Sequence, residues 1–147
     1  MRVHEFMTRG VETVEERVPA ADALERMRRE RIHHLVVVRG REVRGVLSDR
    51  DLLGAGVRPV GELMTEDPVT ATPDDTVRQV ANVLRGRRIN CLPVVDAQGR
   101  VVGMVTTTDL LELIGRGAEK PVAESKRRDL GRRGPRQKPV RRSGRRR

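Results

Sequence analysis

Two periods of apolar spacing run through the first 116 residues of the chain. Ala20, Ala23, Leu24 and Met27 recur at helical spacing, as do Val77, Val80, Ala81 and Leu84, so each set predicts an amphipathic helix. Between and after them come β-branched runs, "HLVVV" then "EVRGVL", and "CLPVV" then "VVGMV", which predict strands. The short links "RGR" and "DAQGR" predict hairpin turns. Short extended pieces are expected near Glu12 to Val14 and Val69 to Thr72, ahead of each helix. In "TPDDT", Thr72 can cap the second helix, Pro73 suits its first turn and two acids favour its N-terminal dipole. A further helix of two or three turns is expected from about Asp51 and again from about Asp109. Each half therefore reads β-α-β-β-α.

The two halves are copies. "FMTRG" and "LMTED" set Met7 and Met64 57 residues apart, and "RRERIHHLVVV" and "RGRRINCLPVV" set Ile32 and Ile89 at the same separation. "GVLSDRDLL" and "GMVTTTDLL" set Ser48 and Thr106 58 apart, which places one inserted residue in the intervening turn. Half of such a chain buries too little apolar surface to be stable alone. Two halves pairing face to face would bury both sheets and leave a cleft related by pseudo-two-fold symmetry. The expected class is α+β, mixed, with repeats at residues 1–57 and 58–116.

Charge divides the chain differently. Residues 1–116 carry 18 arginines and 18 acids, while residues 117–147 carry 13 basic residues against 3 acids, so the whole excess of +10 lies in the last segment. That segment is rich in Gly, Pro and like charge, and its composition predicts a disordered basic tail. It contains no aromatic residue to stack on a base, so any attraction to nucleic acid or an anionic surface would be nonspecific and salt-sensitive. The core is aliphatic, with one Phe and no Trp or Tyr. The single Cys91 cannot form an internal disulfide, in keeping with a cytoplasmic location. No apolar run reaches the roughly 18 residues of a membrane span, and "MRVHEFMTRG" lacks a secretory apolar core.

The doubled order of "FMTRGVETV", "RIHHLVVV" and "GVLSDRDLL", answered by "LMTEDPVTATPDDTV" and "RINCLPVVDAQGRVVGMVTTTDLL", resembles a tandem CBS module, named for cystathionine β-synthase, over residues 3 to about 114. The resemblance implies a regulatory homodimer that binds an adenosine-bearing ligand (AMP, ADP, ATP, S-adenosylmethionine or NAD) between the repeats and signals to a protein partner. It requires no cofactor beyond that ligand. Carried over by position, Asp51 and Asp109 match the ribose-binding aspartate, and Ser48 and Thr106 the hydroxyl beside ribose or phosphate. Ile32, Leu35 and Val36 match the apolar wall beside adenine, as do Ile89, Leu92, Pro93 and Val94. The family's wall often contains proline. The second repeat has Pro93 where the first has Val36, which favours the Thr106–Asp109 site.

The residues themselves leave two local readings open. A hydroxyl followed three residues later by an acid, as in "SDRD" and "TTTD", is a capping box that starts a helix. The same groups can serve a nucleotide, because a helix start welcomes phosphate and a carboxylate accepts from both hydroxyls of a ribose. Arg50, between Ser48 and Asp51, could reach a phosphate, and its counterpart is Thr108. His33, His34 and Cys91 are read as packing or strand-end residues rather than metal ligands, and no nucleophile–base set points to an enzyme. The alternative function is a basic-tailed adaptor for nucleic acid or anionic surfaces, with the repeats as a dimerisation scaffold.

Overall fold

In the first half, strand β1 (Thr13–Glu15) is followed by helix α1 (Ala20–Glu30), strands β2 (His34–Arg39) and β3 (Glu42–Ser48), and helix α2 (Asp49–Leu52). In the second, strand β4 (Thr65–Glu66) precedes helix α3 (Val77–Arg87), strands β5 (Cys91–Val95) and β6 (Val101–Thr106), and helix α4 (Thr107–Gly117). These elements come from a computed structural model, which describes residues 1–117. The expectation of a disordered tail falls on residues outside that range, apart from Gly117, the last residue of α4.

The expected apolar faces are the ones buried. α1 buries Ala20, Ala23 and Met27, and α3 buries Val80 and Leu84. Each helix ends on an arginine in the left-handed region, Arg31 at φ 55° and Arg88 at φ 54°. The hairpins form as expected. β2 pairs with β3 and β5 with β6, both antiparallel, and both ladders slip at the same place, between Val37 and Val38 and between Val94 and Val95.

Three local expectations are corrected. α2 is a single turn rather than two or three, because Leu53 is extended at φ −62°, ψ 126° and Gly54 and Gly56 take positive φ. α3 begins at Val77, not at Pro73. Thr76 is its cap, with Oγ1 accepting the Gln79 N–H at 3.2 Å and Gln79 Oε1 accepting the Thr76 N–H at 2.8 Å. "TPDD" forms a separate turn before it, in which Asp75 Oδ2 accepts the Thr72 N–H at 2.8 Å. The extended piece near Val69–Thr72 makes only one bridge, Ala71 to Val94, whereas its counterpart β1 pairs with β2 over three residues.

The segment ahead of each repeat joins the sheet of the other. β4 pairs with β3, with Thr65 opposite Val46, and Thr8 bridges Met104 in β6. The close approach needs glycine opposite. A Cβ on Gly45 would lie 2.7 Å from the Thr65 carbonyl and 2.6 Å from Met64 Sδ. On Gly103 it would lie 3.0 Å from the Thr8 carbonyl and 2.6 Å from Met7 Sδ. The repeated "MT" and the repeated glycine are thus two sides of one contact, made twice and in exchange.

The cores record the same exchange. Val60, from the start of the second repeat, packs with Val14, Met27, Leu35 and Leu47 of the first. Val3, from the start of the first, packs with Val80, Leu84, Leu92 and Val105 of the second. A third cluster, Val36, Val38, Cys91 and Met104, joins the two sheets face to face. The expected pairing of halves is therefore present, through an aliphatic seam.

Candidate functional site

The exchange places two cavities at the seam. One, of about 290 Å3, lies between Thr8–Glu12, Ile32–His34 and the β6 end at Met104, Thr106 and Thr108. The other, of about 520 Å3, lies between Thr65–Val69, Arg87–Cys91 and the β3 end at Val46, Ser48 and Asp51. Almost every lining position of one has its counterpart in the other, about 57 residues away, so the cavities are pseudo-symmetric copies. Their volumes lie near the lower half of the range typical of small-ligand pockets, roughly 300–1,000 Å3.

Each cavity draws on both repeats. Thr106 of the second repeat shares its cavity with Ile32 of the first, while Ser48 and Asp51 of the first share theirs with Ile89 of the second. The grouping of Thr106 with the second repeat's own wall is thus not the one the fold makes. Leu35 and Leu92 point into the cores of their own repeats, Val94 joins the second core, and Val36 belongs to the seam. Pro93 is buried in β5, where its carbonyl accepts the Ala71 N–H at 2.9 Å. None of these five lines either cavity. Arg50 is exposed and lines neither, whereas its counterpart Thr108 lines the smaller one.

Both hydroxyl–acid pairs are built as caps. In the second repeat Asp109 Oδ2 accepts the Thr106 N–H at 2.7 Å and Thr106 Oγ1 accepts the Asp109 N–H at 3.2 Å. In the first, Asp51 Oδ2 accepts both the Ser48 N–H at 2.8 Å and the Ser48 hydroxyl at 3.0 Å. Capping and ligand contact are compatible at Asp51, which lines the larger cavity while holding Ser48. Asp109 does not line the smaller cavity; it holds Thr106, which does.

Position by position the linings are not identical. His33 and His34 both line the smaller cavity, because β2 starts only at His34 and His33 lies before the pleat begins. His33 Nδ1–H donates to Asp49 Oδ2 at 3.2 Å, and that contact leads in holding the Asp49 carboxyl below its ordinary range. His34 lines both cavities. Burial lowers its pKa, against the opposing pull of Asp49 and Asp51. Cys91, its counterpart, lines the larger cavity only, and burial together with the nearby Asp51 pushes its thiol up to about 11. The linking segments 8–12 and 65–69 and the pair Arg87 and Arg88 were not singled out by the residue pattern. A comparison of the repeats at one fixed offset exposes Arg87, because position 87 is Arg where position 30 is Glu, whereas Arg88 answers Arg31.

Among the described residues no helix is long and apolar enough to cross a membrane. Related proteins share the doubled architecture. An inosine-5′-monophosphate dehydrogenase of Korarchaeum cryptofilum is 33% identical over 111 residues, covering 74% of this chain. The chain spans about a quarter of the length of the curated relatives it first matches, 23% and 24%. Among solved structures, the CBS domain pair of protein MJ0100, in complex with 5′-methylthioadenosine and S-adenosylmethionine, superposes with a TM-score of 0.75 at 27% identity. The overlap covers 80% of this chain and 98% of that one. CBSX2 of Arabidopsis thaliana, in complex with AMP, gives a TM-score of 0.72 at 27% identity, covering 78% of this chain and 96% of the other. The sequence profile of the CBS domain matches residues 3–58 and again 60–116, and with both matches falling on the two repeats described above, this chain belongs to the CBS domain family as a tandem pair.

Proposed function

We propose that the chain is a non-catalytic regulatory module that binds adenosine-containing ligands at the seam between its repeats and signals their presence to a protein partner in the cytoplasm. The observation that carries this reading is the pair of pseudo-symmetric cavities. Each joins a hydroxyl-x-x-Asp helix start from one repeat to the isoleucine-led strand end of the other. A sugar suits the hydroxyl of each helix start and, in the larger cavity, the Asp51 carboxylate, and a flat base suits the aliphatic side of Ile32 or Ile89, neither cavity having a Phe, Tyr or Trp ring in its lining. The solved relatives of similar architecture hold AMP, 5′-methylthioadenosine or S-adenosylmethionine. A ligand bound across the seam touches both repeats and so favours one relative placement of them over others, which is how occupancy reaches a partner. Leu53, Val57 and Leu111, respectively 63%, 87% and 62% exposed, offer apolar surface that a second copy of the chain would cover.

The test is a thermal-shift panel on the full-length protein with AMP, ATP, S-adenosylmethionine and 5′-methylthioadenosine. At a hundredfold excess over Kd, a bound ligand adds about 2.7 kcal/mol of stability. Asp109→Ala should remove the shift due to the smaller cavity, because Thr106 loses the carboxylate that fixes it. A panel that leaves the melting curve unmoved sinks the reading. The +10 charge of residues 117–147 supports the adaptor alternative, in which DNA rather than adenosine shifts the protein. That binding would weaken steeply with salt and disappear when the chain is cut after Gly117.

A further inference from the structure

The geometry points to a division of labour between the two cavities by ligand charge. The larger cavity takes a phosphate-bearing adenosine, held by Arg87 and Arg88, and the smaller takes an adenosine derivative without phosphate. The inference rests on the adenosine reading and adds which class of ligand each copy of the site accepts.

Arg87 and Arg88 end α3 and line the larger cavity next to Ile89, on the opposite side from Ser48 and Asp51. Among the described residues, neither guanidinium takes part in an ion pair or a side-chain hydrogen bond. Arg39 and Arg44, by contrast, are committed to Glu16, Arg26 to Glu12 and Arg100 to Asp96. Two guanidinium groups with unused donors, side by side at a cavity mouth, match the planar bidentate geometry of a phosphate. The acids of this cavity are Asp51 and Asp67. Asp51 is occupied by Ser48 and suits a ribose, so the arginine end and the sugar end of the cavity are distinct.

The smaller cavity has the reverse character. The positions equivalent to Arg87 and Arg88 are Glu30 and Arg31, and neither lines it. Where the larger cavity has Val69, the smaller has Glu12, already paired with Arg26. Its only basic groups are His33 and His34, and burial holds His34 toward its neutral form. A phosphate entering here would meet a carboxylate and no arginine. Of the remaining lining, Thr106 and Thr108 suit a sugar, and Val11 and Met104 suit an apolar 5′ substituent. The difference in volume, about 290 against 520 Å3, runs the same way as the difference in charge.

Isothermal titration of the full-length protein with AMP and with 5′-methylthioadenosine tests this, comparing wild type with the double variant Arg87→Gln, Arg88→Gln. Both side chains are exposed, so the fold should be kept, and an unchanged melting curve without ligand verifies it. Loss of charge-assisted hydrogen bonds should weaken AMP by about tenfold or more and leave 5′-methylthioadenosine unchanged. Raising salt should weaken AMP in the wild type and much less in the variant. Glu12→Gln should admit AMP to the smaller cavity as a second, weaker site. Inorganic phosphate serves as a control for attraction to the basic tail, which the double variant leaves intact. If both ligands bind and the variant weakens them equally or not at all, the division by charge is overturned while the adenosine reading stands. If neither ligand binds the wild type, both fall together.

Discussion

Cys91 stands opposite Thr106 in the β5–β6 ladder, yet the two line different cavities. The same holds in part for their counterparts, since Ser48, opposite His34, lines only the larger cavity while His34 lines both. The end of each hairpin therefore serves two sites at once, and partners in a site are found across the seam rather than along one repeat.

That crossing predicts a pattern of energetic coupling. Measured as binding of 5′-methylthioadenosine, Ile32→Ala and Thr106→Val should be non-additive in a double-mutant cycle, by about 0.5 kcal/mol or more, as residues sharing a partner are. Ile89→Ala with Thr106→Val should be additive. Coupling of Thr106 to Ile89 instead of Ile32 would refute the crossed arrangement.

Alanine at the two seam glycines should be destabilising by about 1–3 kcal/mol in urea unfolding, as overpacking is. The two sites should differ in rescue. At Gly103 the tightest contact is the flexible Met7 Sδ, so Met7→Ala should recover part of the loss from Gly103→Ala. At Gly45 the Thr65 carbonyl is itself only 2.7 Å away, and Met64→Ala should recover little.

His34 makes stability depend on pH. Burial outweighs Asp49 and Asp51, so its folded-state pKa lies below that of the unfolded chain, and His33 adds to the lowering. Above the unfolded value of about 6.5 both states are neutral and the contribution is complete. As pH falls through that value the unfolded chain takes up the proton first, and stability drops. Unfolding midpoints measured from pH 7.5 to 5.0 should fall in the wild type and fall less in His34→Gln. An equal decline in both would assign the effect to other groups.

Cys91 should be a slow thiol. With its pKa pushed up to about 11, its thiolate is scarce at neutral pH, roughly two orders of magnitude below that of an ordinary cysteine. Alkylation by iodoacetamide at pH 7.5 should be slow in the native protein and become fast in urea. A ligand in the larger cavity should slow it further, and one confined to the smaller should not.

Much of this architecture is legible in the residue pattern, and the remainder is obscured for physical reasons. Helical spacing reports which face is buried, so Ala20, Ala23 and Met27 were readable. It does not report which core receives a residue, and Val3 and Val60 look like any short apolar stop. Leu35, Val36, Leu92, Pro93 and Val94 read as one wall because every residue of a doubly covered strand is apolar. The fold sends alternate side chains to a repeat's own core and to the seam. Leu53 and Val57 prolong the apolar spacing of α2, but the backbone at Gly54 and Gly56 stops the helix first. Arg87 and Arg88 resemble the basic residues that commonly close a helix. Their place beside a cavity emerges only once the opposite repeat is in position.

The exchange of leading segments also sets an order of events as the chain is made. The core around Met27 and Leu47 needs nothing beyond Val60 and its neighbours, so all of its residues are made before α3. The core around Leu84 and Leu92 requires both Val105, near the end of the second repeat, and Val3, which is made ahead of β1. Val3 must therefore wait for Val105, and the smaller cavity acquires its lining only when that late closure brings Thr8 onto β6.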